Sequence, residues 1–304
     1  MTLGVVPYPR IDPVIVRIPF LHDFGIRWYG VAYIIAFALA WLVMRSLARR
    51  GRFPVKPELV GDFLFWGILG VFLGGRFGYI AFYAEDKSPS HWFKTWEGGM
   101  AFHGGLAGVI LAYWIYAWRK KIPFRWIADG LALATPLGIA VVRLANFVNA
   151  ELVGRPWNGP WAMQFPKYDQ ASTHWNDKWE MTDTVPPMPL YRHPSQLYQA
   201  LLEGLATYFV LRWLMLTRRW GGGMVASAFL ITYGGFRFAT EFFREPDTQI
   251  GYEWFGWMTR GQEFCLAMIV LGVIALLWMR RGGKPMPQVE GVPVPLEPPL
   301  VPSR

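Results

Sequence analysis

The chain has 304 residues, of which 53% are hydrophobic, 17% aromatic and only 17% charged, with 17 tryptophans. Soluble domains carry about 25% charged residues, so this composition excludes an ordinary soluble enzyme and points to a polytopic membrane protein. The formal net charge of +9 comes from basic residues flanking apolar runs, which implies anionic lipid rather than nucleic acid, and the single cysteine, Cys265, excludes an intramolecular disulfide.

A hydrocarbon core about 30 Å thick takes roughly 20 apolar residues as helix, because lipid offers backbone amides no other partner. Seven stretches have that character: Trp28–Ala48, Asp62–Phe82, Ala101–Trp118, Trp126–Val148, Gln196–Leu216, Met224–Phe243 and Phe264–Met279. The expected fold is therefore an all-α integral membrane protein of about seven transmembrane helices, with a kink at Pro136 in the fourth. Basic residues crowd the connections after spans one, three and five (Arg45, Arg49, Arg50, Arg52 and Lys56; Arg119, Lys120, Lys121 and Arg125; Arg212, Arg218 and Arg219), and again follow span seven (Arg280, Arg281, Lys284). Positive charge stays inside, so the N-terminus is expected in the periplasm and the C-terminus in the cytoplasm.

Residues 1–27 hold proline and charge throughout and read as a periplasmic segment rather than a cleavable signal peptide. Residues 28–281 form the membrane domain, interrupted by one long periplasmic loop at about 149–195. Its Trp157, Trp161, Trp175 and Trp179 suggest a cap at the lipid headgroups. The tail, 282–304, is expected to be cytoplasmic and disordered.

Ionisable groups inside spans cost about 2.5–3.5 kcal/mol each, so they need partners or a task. Tyr29 stands at the first membrane interface, where an aromatic-belt role suffices. In span two, Gly70, Gly74 and Gly78 recur every fourth residue as a seam for close helix approach, with Arg76 beside it and an acid as its possible partner. His103, before Gly104 and Gly105 at the head of span three, is either a structural hydrogen-bonder or a general base. At the end of span four, Arg143, Asn146 and Asn149 share one face, with Glu151 and Gly154 following. Span five begins after Pro194 with Ser195 as a possible cap, and its Gln196, Gln199 and Glu203 form a polar stripe that reads as bundle packing. Tyr233, Arg237, Glu241 and Arg244 share a face at the end of span six. Two readings stay open for these clusters: Arg237 pairs with Glu241 and Arg143 with Glu151, or the two guanidiniums converge on an anion such as a phosphate. Cys265 lies in an apolar helix without a nearby base and reads as an inert thiol.

Taken together these segments resemble the prolipoprotein diacylglyceryl transferase family of bacterial inner membranes. The family signature is similar to Gly-Arg-x-(Gly/Ala)-Asn-Phe-(aliphatic)-Asn-x-Glu-x-x-Gly, which the chain matches from Arg143 to Gly154, with Val142 in place of the first glycine. Similar blocks are Trp28-Tyr29-Gly30, the glycine seam with Arg76, His103-Gly104-Gly105, Arg192–Tyr198, Tyr233–Asp247 and Gly261-Gln262, whereas Cys265 and Ala267 replace a typical Ser and Pro. The resemblance implies transfer of the diacylglyceryl group from phosphatidylglycerol to the lipobox cysteine of a preprolipoprotein, releasing glycerol phosphate. By the same resemblance His103, Arg143, Arg237 and Tyr29 would be catalytic, and Arg143, Asn146, Glu151, Gly154, Tyr233, Arg237 and Glu241 would bind substrate. No metal or other cofactor is expected, since no His, Asp or Glu set has ligand spacing and no nucleotide motif occurs. A transporter would need polar residues through the full membrane depth, and a hydrolase would need a nucleophile beside a base; Ser195 near His193, with Pro194 between them, is a poor candidate.

Overall fold

The structure is a computed structural model that describes residues 6–9, 11–18, 24–84, 92, 99–165, 191–217, 221–245 and 252–281. Trp175, Trp179 and the tail 282–304 lie outside the described residues.

Among the described residues seven long helices stand where the apolar stretches predict them: α1 (Trp28–Arg49), α2 (Val60–Phe82), α3 (Phe102–Lys120), α4 (Phe124–Val148), α5 (Ser195–Thr217), α6 (Met224–Glu241) and α7 (Arg260–Arg281). Helix α4 continues through Pro136. By length and composition, five of these described helices could cross a membrane: α1, α2 with the short turn before it (Pro57–Phe82), α4, α5 and α7. The two outside that set, α3 and α6, carry His103 and the Tyr233–Arg237–Glu241 face.

The expectation of an all-helical chain needs one correction, because among the described residues three short antiparallel strand pairs accompany the helices. They are β1 (Val14–Ile18) with β2 (Phe24–Arg27), β3 (Met163–Gln164) with β4 (Tyr191–Arg192), and β5 (Tyr252–Trp254) with β6 (Met258–Thr259). Each lies outside the apolar runs, in segments whose amides need partners that no helix supplies.

The contacts divide the described residues into two compact units. The first draws on Met1–Ala40, Ala132–Arg219 and Met224–Arg281, and the second on Trp41–Leu131 and Trp220–Gly223. In the first, a core of Tyr8, Phe147, Ala150, Val153, Met163 and Phe165 closes over the end of α4. The Tyr8 hydroxyl donates to the carbonyls of Phe147 (2.7 Å) and Val148 (3.0 Å), serving acceptors that a helix terminus leaves unpaired, and burial pushes its pKa up to about 12. Elsewhere in this unit burial is inverted relative to a soluble protein. In α5, Gln196, Gln199 and Glu203 are fully buried, whereas Leu201, Phe209 and Trp213 are more than half exposed, as expected where lipid surrounds the bundle.

In the second unit α2 packs on α3 along the predicted seam, whose other side proves to be Gly104 and Gly108. A methyl group on Gly70 would lie 2.7 Å from the Gly108 carbonyl oxygen, and one on Gly78 would lie 2.8 Å from Gly104 Cα. Arg76, 5% exposed, donates to the carbonyls of Trp92 (3.2 Å) and Gly99 (3.1 Å) and so ties the α2–α3 connection to α2. Gly74→Ala would set a methyl 2.7 Å from Gly108 Cα, backbone against backbone. Unfolding in detergent should show a loss of about 1–3 kcal/mol, and unchanged stability would mean that this contact is loose.

Candidate active site

The signature segment ends α4 in an irregular turn. Ala150 (φ 51°) and Leu152 (φ 53°) both adopt the left-handed conformation, which costs a residue with a side chain roughly 1–2 kcal/mol. The surroundings hold them there. Glu151 N–H donates to the Asn146 carbonyl (2.9 Å), Gln196 Nε2 to the Glu151 carbonyl (2.5 Å), and the Ser195 hydroxyl to the Leu152 carbonyl (2.9 Å). Ser195 is thus not a helix cap, since Pro194 stands at that position, and its buried hydroxyl is committed to a carbonyl and unsuited to act as a nucleophile.

Next along the chain Gly154 forms a backbone crossing. Its N–H donates to the His193 carbonyl (2.9 Å), Arg155 N–H to the Phe243 carbonyl (2.9 Å) and Glu245 N–H to the Val153 carbonyl (3.2 Å), while Arg192 Nη1 reaches the Gly154 carbonyl at 3.0 Å. A methyl on Gly154 would lie 2.5 Å from both Cβ and the carbonyl oxygen of His193. The crossing therefore joins the end of α4 to the start of α5 and the end of α6. Beside it Trp157 stacks on His193 (4.6 Å between centroids), and the Trp161 indole donates to the Tyr198 hydroxyl at 2.8 Å. Burial holds the His193 pKa below the ordinary histidine value.

Helix α5 is not uniform: Ala200–Ala206 is a π-helical segment, an arrangement common at functional sites. Within it Gly204 lets α5 approach α4, because a methyl there would meet Ala140 Cβ at 2.5 Å. Ala140 is three residues before Arg143, so Glu203 is brought to the level of that arginine.

Glu203 sits between the two arginines that the sequence singles out. Arg143 Nη2 lies 3.5 Å from its Oε2 and Arg237 Nη1 lies 3.6 Å from its Oε1. Arg237 also pairs with Glu241 at 2.5 Å, as its i,i+4 spacing predicts, and Arg244 approaches Glu241 at 3.5 Å. Glu241 is fixed from below by the Thr259 hydroxyl (3.2 Å) and by its fit against Gly261 at the head of α7. Three arginines face two carboxylates, so these five side chains carry a net charge of +1 when ionised. Glu203 is completely buried, whereas the side chains of Arg143 and Arg237 keep 17% and 13% exposure.

Asn146 links this cluster to α1. Its Oδ1 faces Arg143 Nη1 at 3.5 Å and its Nδ2 donates to the Tyr29 hydroxyl. Tyr233 stacks on Phe229 and lies within electrostatic reach of Glu203, Arg237 and Arg143. Cys265 is 3% exposed, in the field of Arg237, Glu241 and Glu203.

Tyr29, Arg143, Asn146, Tyr233, Arg237 and Glu241 are thus brought into one cluster. Glu151 and Gly154 sit in the turn and crossing that shape it. His103 belongs to the second unit, where it is exposed on the first turn of α3. The residue that sequence reasoning missed is Glu203. Its one signal was a glutamate in an otherwise apolar run, which the neighbouring glutamines made look like packing.

Residues 13–278 match the model of the family described as prolipoprotein diacylglyceryl transferase. Similar curated proteins, each named phosphatidylglycerol–prolipoprotein diacylglyceryl transferase, come from several bacteria. The Coxiella burnetii protein is 42% identical over 90% of this chain and 97% of its own length. That of Methylococcus capsulatus is 43% identical over 88% and 95%, and that of Pseudomonas putida 41% over 92% and 98%.

Proposed function

The chain belongs to the prolipoprotein diacylglyceryl transferase family, and from that premise we propose that its arginine cluster holds the phosphate of the lipid donor. The chain is a multi-pass membrane transferase that moves the diacylglyceryl group from phosphatidylglycerol to prolipoprotein. The finer reading has seven spans in the bacterial inner membrane, the N-terminus in the periplasm and the C-terminus in the cytoplasm.

The observation that carries the headgroup assignment is the +1 balance of Arg143, Arg237 and Arg244 against Glu203 and Glu241. A phosphodiester of charge −1 completes it. Guanidiniums suit this task because they cannot deprotonate and present paired donors to phosphate oxygens. The acceptor is the lipobox cysteine of a preprolipoprotein. Its thiol must lose a proton to become a good nucleophile, and His103 takes that proton. The thiolate attacks the glyceryl C3, the carbon–oxygen bond to phosphate breaks, and glycerol phosphate leaves with the electron pair. Arg143 and Arg237 offset the charge gathering on the phosphate as that bond breaks, in surroundings that screen it poorly. Tyr29, Asn146 and Tyr233 orient the headgroup. Glu241 holds Arg237 and Arg244 in place, and Gly154 and Glu151 preserve the shape of the turn beside them.

Purified protein incubated with glycerol-labelled phosphatidylglycerol and a lipobox peptide tests the reading. One glycerol phosphate should appear for each peptide that gains a diacylglyceryl thioether. Lipid consumed without peptide modification would indicate a hydrolase instead, and no lipid consumption would sink the assignment. In the same assay His103→Gln should lose most turnover, and near-normal turnover with an unchanged pH profile would remove His103 as the base.

A further inference from the structure

Glu203 is a buried carboxylate for which the headgroup reading provides no task. Its distances to Arg143 and Arg237, 3.5 and 3.6 Å, are long for charge-assisted pairs, which close to about 2.7–2.9 Å. Glu241, by contrast, closes to 2.5 Å from Arg237, although each carboxylate also accepts a threonine hydroxyl. On Glu203 the Thr240 hydroxyl donates to Oε1 at 2.6 Å, while Oε2, the oxygen toward Arg143, receives no hydrogen bond among the described residues. The π-helical segment and the Gly204–Ala140 approach bring this carboxylate between the two guanidiniums at the cost of regular helix.

We infer that Glu203 is an internal counter-anion that competes with phosphate for Arg143 and Arg237, and so sets how tightly the enzyme holds both the lipid headgroup and the released glycerol phosphate. The inference rests on the headgroup reading above. Two guanidiniums in surroundings of low polarity would hold any phosphate strongly, product included. A carboxylate placed between them offsets part of that pull for substrate and product alike, which changes uniform binding rather than the chemical step. Slow product release would otherwise limit turnover. Glu203 acts through the arginines and is a positioning residue.

The test compares wild type with Glu203→Gln, which keeps shape and removes charge, and with Glu203→Asp, which keeps charge and withdraws it by one methylene. For each, kcat and KM are measured with phosphatidylglycerol and lipobox peptide, and Ki with glycerol phosphate as inhibitor. Glu203→Gln should lower both KM and Ki by about tenfold, a modest share of the Coulomb term for one charge at this range, and should lower kcat with them. Glu203→Asp should shift Ki in the same direction by about threefold, which keeps the test alive if the glutamine variant does not insert. A Ki that is unchanged or raised in the variants, or a KM that rises while kcat falls, marks a merely structural carboxylate and overturns the inference. Failure of the headgroup reading looks different: wild-type protein would then show no inhibition by glycerol phosphate at all.

Discussion

Arg143→Ala and Arg237→Ala should each lower diacylglyceryl transfer by about a hundredfold or more while leaving the protein able to insert into membranes. Removing one preorganised donor to developing negative charge costs a factor of about 10²–10³ in comparable sites, and here the two donors act on one phosphate. The variants should differ in stability. Arg237 contacts two carboxylates, Glu241 at 2.5 Å and Glu203 at 3.6 Å, whereas Arg143 contacts Glu203 alone, at 3.5 Å, among the ion pairs described. Breaking a buried pair costs about 3–5 kcal/mol when the remaining charge is left behind, so Arg237→Ala should unfold more readily in detergent than Arg143→Ala. Lysine at either position should restore only part of the activity, because a point charge lacks the paired donors. Full turnover of either alanine variant with phosphatidylglycerol would show that the arginine concerned is no phosphate ligand.

Gly154→Ala should be nearly as damaging, although it removes nothing. The added methyl would fall 2.5 Å from the carbonyl oxygen of His193 and 2.6 Å from that of Phe243, and both carbonyls accept hydrogen bonds from this crossing. Neither can retreat without releasing an amide partner. Overpacking of this kind costs about 1–3 kcal/mol, and the displacement is shared by the ends of α4, α5 and α6, which carry Arg143, Glu203 and Arg237. A misplacement of about 1 Å can cost a hundredfold in rate, so transfer should fall by tenfold or more even in protein that remains folded. Gly61→Ala serves as control, since nothing lies within 4 Å of its Cβ position and alanine favours the helix. If Gly154→Ala matches Gly61→Ala in rate and unfolding midpoint, the crossing is not what holds the three helix ends together.

Much of the molecule was legible from local pattern. Helices stand on the seven apolar stretches among the described residues, and the five that are long and apolar enough to cross a membrane satisfy their own amides within one segment, as a backbone in lipid must. The glycine seam of α2 was readable from its four-residue spacing, though its partner glycines in α3 were not. Arg237 and Glu241 pair as an i,i+4 spacing requires. The strand pairs were not legible, because each is too short for alternation to stand out and takes its register from a partner across a loop.

What the sequence alone determined is therefore everything carried by one helix at a time: the apolar runs, the faces bearing Arg143 with Asn146 and Arg237 with Glu241, and, through the Arg143–Gly154 signature, the family. Only the tertiary structure decided which carboxylate lies between the arginines, and that Gly154 is a crossing of three chain segments. Periodicity settles which side chains share a face within a helix. Distances between faces of different helices depend on how closely α4 and α5 approach at Gly204, and on a π-helical segment that shifts Glu203 off its regular position. Both are properties of packing over long sequence separations, and a linear pattern does not encode them.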